Sequence, residues 1–100
     1  MKGTNREVVK AYFRGIGPNT NSTGSLYWAN GVLYSYGEHF PLVIKRVING
    51  NMVLYVNSDK YSVTTSCHQG LVRRELNPDR ERIISADTGE MKELLKNMAA

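Results

Sequence analysis

Apolar and polar positions alternate along most of this chain and take up a helical spacing only towards its end. Glu7 to Arg14 (EVVKAYFR) alternates loosely and reads as a first strand. Gly15 to Gly24 (GIGPNTNSTG) is a polar loop, and it lacks the Gly-Lys-Ser/Thr ending of a phosphate-binding loop. Leu26 to Ala29 and Val32 to Tyr36 flank Asn30-Gly31, a pair suited to a two-residue hairpin turn because both central residues need positive φ. That register sets Ala29 opposite Val32, Trp28 opposite Leu33 and Tyr27 opposite Tyr34. Tyr27, Tyr34 and Tyr36 then share a face with Ala29 and Val32, while Leu26, Trp28 and Leu33 take the other. Phe40 to Ile48 and Met52 to Asn57 predict a second hairpin across Asn49-Gly50-Asn51. A turn over Asn57 to Lys60 leads to another strand, Tyr61 to Thr65.

The period changes at Ser66-Cys67-His68-Gln69. Its Ser-x-x-Gln form predicts a capping box in which Ser66 and Gln69 satisfy each other's amides. A helix from Cys67 to Leu76 would stop at Asn77, because Pro78 disfavours helix before it. Gly70 inside it costs up to ~1 kcal/mol relative to alanine, so this helix depends on packing through Leu71, Val72 and Leu76. Arg82 to Ser85 reads as a short strand. Asp87 caps a last helix, with Glu90 at its third position, and Met91, Leu94, Leu95 and Met98 form an i, i+3, i+4, i+7 core stripe. The expected fold class is α+β: a curved antiparallel β-meander of about five or six strands covered by one or two short helices. It forms one domain, residues 1–100.

Composition narrows the class. A hydrophobic fraction of 41% is that of a globular chain, and no apolar run is long enough to cross a bilayer. The N-terminus carries no apolar signal region, and the single cysteine, Cys67, excludes an internal disulfide. Both fit a cytoplasmic protein in a reducing compartment. The Asn21-Ser22-Thr23 sequon is therefore read as chance. The net charge of +4 favours anionic partners and argues against DNA mimicry, which would need a strongly acidic chain.

Two surfaces are candidates for function. The first is the strand-to-helix junction, where helix amides attract anions and Thr64, Thr65, Ser66 and His68 would surround a phosphate or carboxylate. Arg73 and Arg74 would widen the positive field. The competing reading makes Ser62 and Thr64 outward strand residues and Ser66 a simple cap. The second surface is the tyrosine face, suited to protein contact or base stacking. Cys67 and His68 are adjacent and diverge by about 100° on a helix, so they cannot pair as nucleophile and base. His39 with His68 is the remaining catalytic pairing, of a ribonuclease type, although His39 at a strand entrance suits a structural bond. No cofactor is expected, and Cys67, His39 and His68 lack the paired spacing of a metal site.

The stretch NGVLYSYGEHFPLVIK followed by VNSDKYSVTTSCHQGLVRREL resembles a core of small uncharacterised bacteriophage and mobile-element proteins. The shared elements are Leu33-Tyr34-Ser35-Tyr36-Gly37, His39-Phe40-Pro41, Asn57, and Tyr61 to Ser66 with His68-Gln69, within a motif core of about residues 30–76. The resemblance implies a setting rather than an activity, since that domain has no known function and no catalytic residues to carry over. The expected function is a non-enzymatic phage-type accessory protein that binds and blocks a host protein, such as a defence nuclease, in the manner of an anti-CRISPR. Tyr27, Tyr34, Tyr36, Arg73 and Arg74 are the expected interface. The alternative is a nucleic-acid or nucleotide binder using Thr64 to His68, and a small ribonuclease is the lesser one. Either a monomer or a homodimer closed by the tyrosines fits.

Overall fold

The computed structural model describes residues 2–36, 40–60 and 62–99. Among these, the chain runs β1 (Lys2–Gly3), α1 (Asn5–Arg14), β2 (Thr20–Asn21), β3 (Leu26–Ala29), β4 (Val32–Ser35), β5 (Pro41–Ile48), β6 (Asn51–Asn57), α2 (Val63–Glu75), β7 (Arg82–Ala86) and α3 (Thr88–Ala99). The strands form one sheet in sequence order, β1 to β7. The fold is α+β as expected, but among the described residues the sheet has seven strands rather than five or six, three helices pack on it rather than one or two, and its pairing is mixed. Pairings from β2 to β6 are antiparallel, whereas β1–β2 and β6–β7 are parallel.

Both expected hairpins form. Ala29 pairs with Val32, Trp28 with Leu33 and Tyr27 with Tyr34. Asn30 and Gly31 hold φ of 52° and 81°, as that turn requires. The second hairpin closes more tightly than expected. Ile48 pairs with Asn51, so the turn is Asn49-Gly50 alone, with φ of 53° and 81°.

Residues Glu7 to Arg14 are helical, which corrects the expected first strand. Thr4 and Glu7 form a capping box: the Thr4 N–H donates to Glu7 Oε1 (2.8 Å) and the Glu7 N–H to Thr4 Oγ1 (3.2 Å). Gly15 closes the helix at φ 77°. Between these signals Val8, Val9 and Tyr12 fall on one buried stripe, and that periodicity outweighs the β-propensity of Val-Val and Tyr-Phe.

The expected strand Tyr61–Thr65 is also corrected, with Tyr61 outside the described residues. Helix α2 begins at Val63, and its cap is Ser62, whose Oγ accepts from the Thr65 N–H (3.1 Å). Ser66 is an interior helical residue whose N–H donates to the Ser62 carbonyl (2.9 Å). The cap thus lies one turn before the expected Ser66. Gln69 does not serve Ser66, because its Nε2 donates to the carbonyls of Asn57 (3.1 Å) and Asp59 (2.8 Å) at the end of β6. A tertiary contact decides between two local caps. Helix α3 starts as expected, with reciprocal Asp87–Glu90 bonds of 3.2 and 2.8 Å.

Helices α1 and α2 cover one sheet face, where Val8, Val9, Tyr12 and Val72 meet Leu26, Leu33, Val43 and Leu54. Helix α3 covers the other, where Met91, Leu94 and Leu95 meet Val32, Ile44, Tyr55 and Ala86. Met98, the last residue of the expected stripe, is 40% exposed. Tyr12 anchors α1. Its hydroxyl donates to the Gly31 carbonyl (2.8 Å), while Lys45 from β5 donates to the Tyr12 carbonyl and stands 4.3 Å over its ring. Burial draws the Lys45 ammonium below its ordinary range, and Glu81 opposes that shift.

The cap assignment is testable by urea unfolding. Ser62→Ala should cost about 1 kcal/mol, whereas Ser66→Ala should stay within about 0.5 kcal/mol. Equal losses would restore the later cap.

Candidate functional site

The four residues expected to ring an anion do not converge. Thr64 and Ser66 are exposed, whereas Thr65 and His68 are fully buried on the inner side of α2. There they meet Ser35 of β4, whose Oγ lies 3.0 Å from Thr65 Oγ1 and 2.9 Å from His68 Nδ1. Ser62 Oγ donates to Thr65 Oγ1 (3.2 Å). The donor order that serves every hydroxyl runs Ser62 to Thr65 to Ser35 to His68 Nδ1, which leaves the imidazole proton on Nε2. That Nε2 has no hydrogen-bond partner among the described residues. The hydroxyl–imidazole cluster joins α2 to β4 and so fixes the helix on the sheet. Burial also holds the His68 imidazole below its ordinary pKa.

His39, the other half of the expected histidine pair, lies outside the described residues. Cys67 is exposed while His68 is buried, so the two diverge as the helical geometry requires. Among the described residues, no three His, Cys, Asp or Glu side chains gather as a metal site. No helix there is long and apolar enough to cross a membrane.

The expected interface residues occupy different surfaces. Tyr27 and Tyr34 stack at 5.1 Å between ring centroids, and Tyr34 packs against the cluster beneath α3. Tyr36 lies past the end of β4 at φ 58°, so strand alternation does not carry it onto their face. Arg73 and Arg74 sit on α2, across the sheet from Tyr27 and Tyr34. Arg74 lines a cleft between α1 and α2 with Arg6, Val9 and Lys10, whereas Arg73 lines a groove beside β7. Helices α1 and α2 carry Arg6, Lys10, Arg14, Arg73 and Arg74 against Glu7 and Glu75, which places three of the chain's four net positive charges on that layer.

The short strand expected at Arg82 to Ser85 forms as β7 and lies at the edge of the sheet, a position its residues alone do not disclose. Sheet edges expose unpaired backbone groups and are commonly kept short or capped. At the far edge β1 is two residues long, but β7 runs for five. Among the described residues it pairs in parallel with β6 and with no other strand. The Ala86 carbonyl points inward, accepting from the Ser58 N–H (2.9 Å). Backbone direction alternates along a strand, so Ile84 also faces β6 while Ile83 and Ser85 present N–H and C=O outward.

A groove flanks this edge on each face. On the α2 side, a space of about 230 Å³ is lined by Leu42, Val56, Val72, Leu76 and Ile83, with Arg73 at its rim. On the α3 side, about 290 Å³ lies over Tyr55, Ile84 and Ala86, flanked by Leu94, Glu90 and Glu93. A strand laid along β7 would direct alternate side chains into the two grooves. No protein-family model, curated protein sequence or solved structure matches the chain.

Two measurements check the buried cluster. Ser35→Ala should cost about 1–3 kcal/mol, because it leaves Thr65 and His68 without their shared partner. The second follows from the lowered His68 pKa. Unfolded histidine titrates near 6.5, so on acidification the unfolded chain takes up a proton before the native one does. The stability His68 contributes is complete above that pH and is lost as pH falls towards its lower native value. Thermal unfolding of the wild type should therefore weaken between neutral pH and about pH 5, more steeply than that of His68→Gln. Parallel pH profiles would contradict the burial of a neutral ring.

Proposed function

We propose that the chain is a non-enzymatic accessory protein that binds and blocks a partner protein by accepting an extended segment of it along β7. The observation carrying this reading is the five-residue edge with a groove on each face. Strand addition draws affinity from main-chain hydrogen bonds and specificity from pockets for alternate side chains. Both elements are present at β7. A bacteriophage or mobile-element setting, with a host protein as the target, is supported by the Leu33–Pro41 and Tyr61–Gln69 motifs. Ser35, Thr65, His68 and Gln69 within those motifs hold α2 in place. They brace the helix that walls the α2-side groove, and Gln69 itself lines that groove.

The charge surplus on the α1–α2 layer favours a second reading, a nucleic acid bound there. The two readings differ in salt dependence, because phosphate binding releases counterions and apolar strand addition does not.

The test is affinity capture from host lysate at low and moderate salt, with wild type beside Ser85→Pro. Ser85 presents its N–H outward, so proline there removes no bond to β6 while blocking a strand beyond it. The expected result is a stoichiometric protein partner kept by the wild type at moderate salt and lost by Ser85→Pro. A partner retained by Ser85→Pro would overturn the edge reading. Material released by moderate salt with a nucleic-acid absorbance would favour the α1–α2 layer instead.

A further inference from the structure

We propose that the β7 edge is self-complementary and that, without a partner, a second copy of the chain closes it in an antiparallel two-fold pair. The proposal rests on the strand-accepting reading of β7 and adds a form of regulation: self-pairing masks the edge until a partner strand displaces the second copy. The short β1 leaves β7 as the edge along which the sheet can extend.

Backbone direction sets the register. Ile83 and Ser85 are the residues whose N–H and C=O groups point away from β6. A two-fold axis through Ile84 sets Ile83 opposite Ser85 of the second copy, and Ser85 opposite its Ile83. Both residues then exchange N–H···O=C bonds as a closely spaced antiparallel pair. In this register Ile84 meets its own counterpart, and Arg82 lies opposite Ala86 of the second copy.

Charge then selects the occupant. Helix α3 leaves the end of β7 and packs on the same sheet face as Ile84 and Ala86, and Glu90 and Glu93 from its first two turns line the α3-side groove. Arg82 shares that face, at the opposite end of the strand. An antiparallel copy therefore brings its Arg82 to the carboxylate end, with the arginine stem over Ile84 and the guanidinium beside Glu93. Two-fold symmetry forms this contact twice. A parallel copy would instead set arginine beside arginine and carboxylate beside carboxylate. On the other face, Ile83 of the second copy enters the groove lined by Val56 and Val72. Arg82 and Glu93 are both exposed and have no ion-pair partner among the described residues, so both are available. Because the axis is perpendicular to the sheet, both α1–α2 layers fall on one side of the pair.

Light scattering across a dilution series of the purified chain tests this without any partner, so its outcome is separate from that of the lysate experiment. The expected result is a concentration-dependent dimer that Ser85→Pro abolishes. Arg82→Glu and Glu93→Arg, both surface changes, should each raise the dimer dissociation constant by about tenfold or more, because like charges then meet twice across the axis. The double variant Arg82→Glu/Glu93→Arg should recover most of the loss. A monomer at every concentration would overturn the proposal. So would a dimer indifferent to Ser85→Pro, which would place the contact elsewhere. A dimer sensitive to Ser85→Pro but not rescued by the double reversal would overturn the antiparallel register.

Discussion

The docking of α2 on the sheet is the contact on which the rest of the molecule depends, and over its first half that contact is polar. Thr65 and His68 meet Ser35. Gln69 meets the carbonyls of Asn57 and Asp59. Asn57 in turn donates to the Pro41 carbonyl (2.8 Å) and to Thr88 Oγ1 (3.1 Å), and the Thr88 N–H donates to Asp59 Oδ2 (2.8 Å). Each of these bonds has a specific geometry, and breaking one strands a buried partner, so they fix the position of α2 more narrowly than apolar contact alone would. Val72, Leu71 and Leu76 then continue the contact as ordinary packing. Because α2 is the crossover between β6 and β7, its register decides where β7 lies, and the same network ties the start of α3 to the end of β6.

Much of this was legible where the signal is local. The Asn30-Gly31 turn, the first hairpin's register and the Asp87–Glu90 cap follow from short-range chemistry, and the structure keeps them, whereas the second hairpin forms where expected but turns on Asn49-Gly50 without Asn51. Helix α1 is ambiguous in sequence because Glu7 to Arg14 combines residues of high β-propensity with an apolar stripe that also fits a helix. The deciding signals, Thr4 and Gly15, flank that segment rather than lie within it. At α2, Ser62 and Ser66 stand one helical turn apart, and both are plausible caps by residue type. The choice rests on where Gln69 finds its partners, which is a property of the folded chain.

The candidate site was less legible than the fold, for a related reason. Reading Tyr61 to Thr65 as a strand gathered Thr64, Thr65, Ser66 and His68 at one junction. On a helix the same residues divide between solvent and core. Likewise Arg73 and Arg74, neighbours in sequence, point into different clefts. The edge at β7 could not be read from its own five residues. A strand, a helix and a second strand in sequence do suggest a parallel crossover, but that β7 stays unpaired on its far side is a matter of sheet order.

At β7 we propose an open, strand-accepting edge. Residue-resolved amide hydrogen exchange, at a dilution where the chain is monomeric, tests it most directly. Protection should alternate along the strand: the Ile84 and Ala86 amides slow, held by β6, and those of Ile83 and Ser85 fast, facing solvent. Uniform protection across all four would show that the edge is already covered and would contradict the account.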